Sequence, residues 1–165
     1  MEIQQIPLLT PEQCDNVARR VKQLRAYWVD RGCFYTLGAA TYQDDPKAYP
    51  AIANAFNAII HGVFTDLLKD ITRVIPGISE PAFMPGTALP SFHAIDSRAN
   101  GVEGSIHVDE PYDRIDWGQK ITNPFSFTMA VELPACGGGM NIWTGLTDAD
   151  LTAYEVDHAV PAPEY

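Results

Sequence analysis

Leu89-Pro-Ser-Phe-His-Ala-Ile-Asp96, the loop Ser97 to Gly104, and then Gly104-Ser-Ile-His107-Val-Asp109 form the stretch on which the reading of this chain turns. Before it, apolar residues recur every three or four positions. From residue 80 onward the spacing falls to two, the period of a strand. Leu89 to Ile95, Ser105 to Val108, Phe125 to Leu133 and Met140 to Trp143 read as strands, divided by Gly, Pro, Asn and Asp turns. Helices followed by a run of strands predict an α+β domain in which helices back a β-sheet or roll.

Working back from that stretch, the first helix is signalled by Thr10 as N-cap, Pro11 at the first helical position and Gln13 closing a capping box. Val17, Val21, Leu24 and Trp28 make one apolar stripe, and Gly32 is the expected stop, so the helix should cover 11–30. A β-prone run from Cys33 to Tyr42 follows, then a turn at Asp44-Asp45-Pro46. Pro50 opens a second helix over 51–74, and Pro76-Gly77 stops it. Its stripe of Phe56, Ile59, Ile60, Val63, Phe64, Leu67, Leu68 and Ile71 is wider than the first, which predicts deeper burial. Val21, Leu24, Phe56, Ile60, Phe64 and Leu67 should pack against the sheet. The whole chain, 1–165, reads as a single domain, with 1–79 as a helical bracing region and 80–165 as the β-roll region.

Composition narrows the classes. Hydrophobic residues make up 46% and charged ones 19%, as in an ordinary globular protein. A net charge of −10 repels phosphate backbones, which argues against a nucleic-acid partner. The densest basic stretch, Arg19, Arg20, Lys22 and Arg25, reads as a solvated helix face. Neither a signal peptide nor a membrane span is legible, so the expectation is a cytoplasmic protein with no membrane partner. Cys14, Cys33 and Cys136 are odd in number and lack Cys-x-x-Cys spacing, which suits free thiols in a reducing compartment.

The chemistry is concentrated at His107 and Asp109. Two apart on a strand, they point to one face and can reach one metal ion together. An imidazole and a carboxylate, with a second imidazole from elsewhere, make the facial triad of non-haem iron(II) enzymes. Three protein ligands on one face leave the opposite positions open for oxygen and a chelating co-substrate. On spacing alone, a surface histidine beside a turn aspartate is the simpler reading. Context moves the balance.

Residues 88–144 resemble the iron(II)- and 2-oxoglutarate-dependent dioxygenase superfamily, nearest to its prolyl-hydroxylase-like branch. The matching parts are the strand Leu89 to Asp96, the Gly-containing loop, the His107 and Asp109 pair, the strand Phe125 to Leu133, and Gly137-Gly-Gly139 before Met140-Asn-Ile-Trp143. The resemblance implies a double-stranded β-helix (a jelly-roll or cupin-like roll), complete or truncated, braced by the two N-terminal helices. It implies iron(II) held by His107 and Asp109, with 2-oxoglutarate as co-substrate. It also implies an oxygenase that decarboxylates 2-oxoglutarate to succinate while hydroxylating a small molecule or peptide.

Two family features are missing from the pattern. A distal metal-binding His normally stands on a late strand, with a basic anchor for 2-oxoglutarate about ten residues on. Here only His158 follows the glycine turn, and no Lys or Arg comes after it. The third ligand is therefore His158 or a residue beyond Tyr165. The competing reading from another class is an inactive or truncated roll that serves as a binding or assembly module, as a homodimer or with a chain that completes it. A further alternative is a cupin-like site built from His93, His107 and Asp109. His93 otherwise reads as a satisfied core or cavity-wall histidine and His61 as a surface or packing residue. Tyr112, Trp117 and Trp143 are possible pocket walls, though core is the commoner fate of such aromatics. Arg98, Arg114 and Lys120 are surface cations by default.

Overall fold

The computed structural model describes residues 6–74, 85–89, 91–95 and 128–135, with 116, 118, 120, 143, 146, 147, 149–151 and 153. Sorted by contacts, the described residues up to Glu132 belong to one compact unit and those from Leu133 onward to a second.

In the larger unit the first helix, α1, spans Pro11–Gln23. The Thr10 side chain accepts from the Gln13 N–H, and the Gln13 side chain accepts the Thr10 N–H at 2.8 Å, so the capping box is built from both sides. The helix stops well short of the expected residue 30. Leu24 leaves helical geometry, and its N–H tightens onto Lys22 and Val21 carbonyls. A single 3₁₀ turn, Arg25–Tyr27, follows. Trp28 then turns back to donate its indole N–H to the Val21 carbonyl at 3.1 Å. That bond gives the Val21 carbonyl a second donor beside the Leu24 N–H at the helix end. The apolar spacing that carried the stripe on to Trp28 was thus real, but it belongs to a residue folding over the helix end.

Strand β1, Val29–Asp30, and strand β2, Phe34–Leu37, pair antiparallel across a tight turn. Arg31 N–H donates to the Phe34 carbonyl at 2.9 Å, and Gly32 takes φ +95° between them. Gly32 is therefore the corner of a hairpin and not a helix stop. The second helix, α2, is Tyr49–Val74, close to the expected 51–74. Strand β3, Phe92–Ile95, falls within the predicted Leu89 to Ile95 and pairs antiparallel with β2. The sheet order is β1-β2-β3, which makes the described part an α+β fold.

Both helices lie on one face of this sheet. Val17 and Val21 from α1, Ile60, Val63, Phe64 and Leu67 from α2, and Leu37 and Leu89 form one buried core, with Leu24, Trp28, Phe56 and Phe92 packed against it. All six residues expected to face the sheet are in it. The opposite side of α2 carries exposed Asn54, His61, Asp66, Lys69 and Arg73. By length and composition α2 is also apolar enough to cross a bilayer, but its apolar stripe is packed into this core. Arg20 joins the helices by donating to the Gly62 carbonyl and pairing with Asp66 at 3.4 Å.

The later β reading meets the structure only in part. Residues 128–133 of the expected strand Phe125 to Leu133 are in no strand. Burial alternates from Thr128 to Glu132, with Met129 and Val131 against the core and Thr128, Ala130 and Glu132 exposed, and the alternation ends at Leu133, which is exposed. The sequence period was reporting that alternation, which needs no ladder partner. Glu132 meets Lys22 at 2.8 Å. Trp143 is half-buried and in no regular element. The expected strand Ser105 to Val108 and the rest of Met140 to Trp143 lie outside the described residues.

In the second unit a helical turn follows Thr147. Thr147 N–H and hydroxyl donate to Asp150 Oδ2 at 2.8 and 2.7 Å, and Asp150 N–H returns to the Thr147 hydroxyl. These donors hold the Asp150 carboxyl below its ordinary pKa. A depressed carboxylate contributes stability that is present above its unfolded pKa and lost as pH falls through the lowered one. Carbon-detected NMR titration should therefore place the Asp150 midpoint below that of the Thr147→Ala variant, and the turn should loosen only on the acid side. Equal midpoints would refute the cap.

The core gives a second test. Phe64 is 3% exposed, so Phe64→Ala should cost about 3–5 kcal/mol in chemical denaturation. A loss near the ~0.5 kcal/mol of a surface change would mean that this face is not the core.

Candidate functional site

The face of the sheet turned away from the helices mixes Thr36 and His93 with Phe34 and an exposed Ile95. Strand register puts Thr36 opposite His93 and Phe34 opposite Ile95, while Leu37 opposite Phe92 belongs to the core side. Alternation along β2 and β3 therefore sorts Phe34, Thr36, His93 and Ile95 onto the helix-free face. His93 stacks on Phe34 with ring centres 5.4 Å apart and planes 7° from parallel. Its Nε2 lies 3.1 Å from the Tyr42 hydroxyl and 3.3 Å from Ser91 Oγ. The approach of β3 is set from α2: Asn57 donates to the Thr87 carbonyl and accepts the Leu89 N–H, each at 2.8 Å. Gly38, at φ +124°, lets β2 leave beside Ser91, where a Cβ would sit 2.8 Å from the Ser91 side chain.

Below His93 is a buried ion pair. Arg31 Nη1 meets Asp44 Oδ1 at 2.9 Å, with both side chains only 9% exposed. Arg31 Nε donates to the hydroxyl of Thr36, which is wholly buried, at 3.0 Å. Asp44 Oδ2 accepts the Ala40 N–H at 2.7 Å and so closes the loop that carries Tyr42 toward His93. The third guanidinium nitrogen, Nη2, is buried without a partner among the described residues. An unmatched buried donor costs about 1–3 kcal/mol, so this arrangement is not one that packing alone would favour.

His107 and Asp109, the expected metal ligands, lie outside the described residues, as do His158, Cys136, Tyr112, Trp117, Arg98 and Arg114. Among the described residues no three His, Cys, Asp or Glu side chains gather at metal-binding range. His61 is exposed and turned toward Thr65 of its own helix, as a surface histidine would be. Lys120 is exposed. His93 is exposed on the helix-free face, and its Nε2 lies within hydrogen-bond reach of Tyr42 and Ser91.

Sequence reasoning missed Arg31, Thr36, Asp44 and Tyr42. Arg31 lies just past the expected helix 11–30 and before Gly32, where a cation is usually solvated. The available signal was Asp30-Arg31-Gly32, a turn triplet before a β-prone run. Breaking the pair is expected to be severe: Asp44→Ala strands a buried guanidinium and should cost about 3–5 kcal/mol in urea melts, whereas R31M/D44L should be neutral or stabilising. Equal stability of Asp44→Ala and wild type would place the pair in solvent.

No protein family, curated protein or solved structure matches this chain.

Proposed function

We propose that this chain is an iron(II)- and 2-oxoglutarate-dependent oxygenase of the double-stranded β-helix type, with His107 and Asp109 as metal ligands. The observation that carries the reading is the His-x-Asp pair in its ordered setting, after a strand and a Gly-containing loop and before the Gly137-Gly-Gly139 turn. The described fold supports it from two sides. The strand expected before the pair exists as β3, and both helices cover one face of the sheet while polar groups gather on the other. A roll of this type has the same division, with bracing helices outside and chemistry within.

When bound, iron with 2-oxoglutarate supplies the oxidising power for hydroxylating an unactivated C–H bond. The chain's own part is to fix two ligands on one strand face and to shape the surroundings. A reducing, cytoplasmic setting suits both iron(II) and the free thiols of Cys14 and Cys33. The charge of −10 favours a neutral or cationic small molecule or a peptide as substrate over nucleic acid.

Anaerobic iron(II) titration and succinate release with 2-oxoglutarate test the proposal together. Wild type should bind iron and form succinate, and Asp109→Ala should lose both, since few ligands hold a labile divalent ion. Unchanged iron affinity in Asp109→Ala refutes the site. Iron binding without succinate would point instead to a cupin-like metal centre, and neither activity to a binding or assembly module.

A further inference from the structure

We infer that Met129 is an oxidation-sensitive anchor, and that its conversion to the sulfoxide lifts residues 128–132 off the core of the larger unit. This segment lies on the core without a ladder. It is in no strand, and among the described residues no backbone hydrogen bond holds it. Its grip is the packing of Met129 and Val131 against the apolar cluster shared by α1, α2 and the sheet. One ion pair, from Glu132 to Lys22 of α1, adds to this, but the two side chains are 56% and 60% exposed. An ion pair so open to water contributes little. The cover ends at once: Leu133 is 65% exposed and belongs to the second unit. Two half-buried side chains therefore hold a strap that can leave while the helices stay packed, a local opening in which few contacts break.

Of the two anchors, Met129 is the one that chemistry can change. It is only half-buried, and a strap without ladder bonds uncovers it further whenever it lifts, so a small oxidant reaches the side chain without opening the core. The thioether sulfur gives an electron pair to one oxygen of hydrogen peroxide, and the O–O bond breaks. Sulfur is oxidised to the sulfoxide and the peroxide is reduced. The departing hydroxide takes the proton from the transferred oxygen and leaves as water. A flexible apolar side chain thereby becomes a polar one, which is unfavourable against an apolar cluster. Val131 and an exposed ion pair are then left to hold the strap. Ile60, Phe64 and Leu67 are buried in α2 and keep the helices and sheet together beneath it. The switch needs no iron at His107 and Asp109.

The test is limited proteolysis of the full chain by a glutamate-specific protease, with cleavage after Glu132 followed by mass spectrometry. Untreated wild type should be cut there slowly. Hydrogen peroxide should speed that cut several-fold as Met129 gains one oxygen, while the amides of α2 keep their protection from hydrogen exchange. The chain has four methionines, so two variants assign the effect. Met129→Leu, apolar and similar in volume, should be cut slowly with and without peroxide. Met129→Gln, a polar stand-in for the sulfoxide, should be cut fast without any oxidant. Three results would overturn the proposal: equal cleavage of Met129→Gln and wild type, an undiminished peroxide response in Met129→Leu, or loss of α2 protection in step with the faster cut.

Discussion

Helix α2 is the member against which the rest of the larger unit is arranged, and its grip is the burial of one apolar stripe. Ile60 is wholly buried, and Val63, Phe64, Leu67 and Ile71 are nearly so. Each such side chain contributes on the order of 1.5–3 kcal/mol when taken out of water, so this stripe outweighs any single polar contact in the unit. α1 is laid along it through Val17 and Val21, and the sheet through Leu37 and Phe92. The same helix also supplies directional contacts. Asn57 fixes the approach to β3 with two hydrogen bonds, and the Gly62 carbonyl receives Arg20 from α1. One helix thus sets the spacing of both layers and the register in which the third strand arrives.

Committing one sheet face to that core decides the character of the other. Pairing sends Leu37 and Phe92 inward, so Thr36 and His93 must appear on the far side. There the chain does something costly, burying an Arg–Asp pair whose desolvation offsets much of its attraction. Part of the return is structural. Asp44 ties the 40–44 loop, which holds Tyr42 at His93. The orphaned Nη2 has no such structural return.

Much of this fold was legible in the residues. Thr10, Pro11 and Gln13 specified a helix start because capping is a local matter of three residues, and the structure has that start. The Phe56 to Ile71 stripe specified a buried helix because its spacing matches a 3.6-residue turn, and all the core positions named from it are in the core. The alternation from Thr128 to Glu132 matches which side chains are covered, Met129 and Val131, and it fails at Leu133, which is exposed. It did not specify a strand, because alternation records a face and says nothing about a hydrogen-bonding partner.

What the tertiary structure decided are the features that depend on residues distant in sequence. α1 ends at Gln23 because the Trp28 indole reaches back to the Val21 carbonyl, a contact invisible to a periodicity that counted Trp28 as one more helical position. Arg31 and Asp44, thirteen positions apart, become a buried pair only once the hairpin and the 40–44 loop have closed on each other. His93 reaches Tyr42 across 51 positions, through a sheet register that no local pattern encodes. The sequence by itself determined the start of α1, the helix α2 with its buried stripe, and the spacing of His107 and Asp109, since each is written within a few neighbouring residues. The helix-free face was decided in three dimensions, because long-range pairing and burial, not residue type, make an ordinary surface arginine into a buried donor.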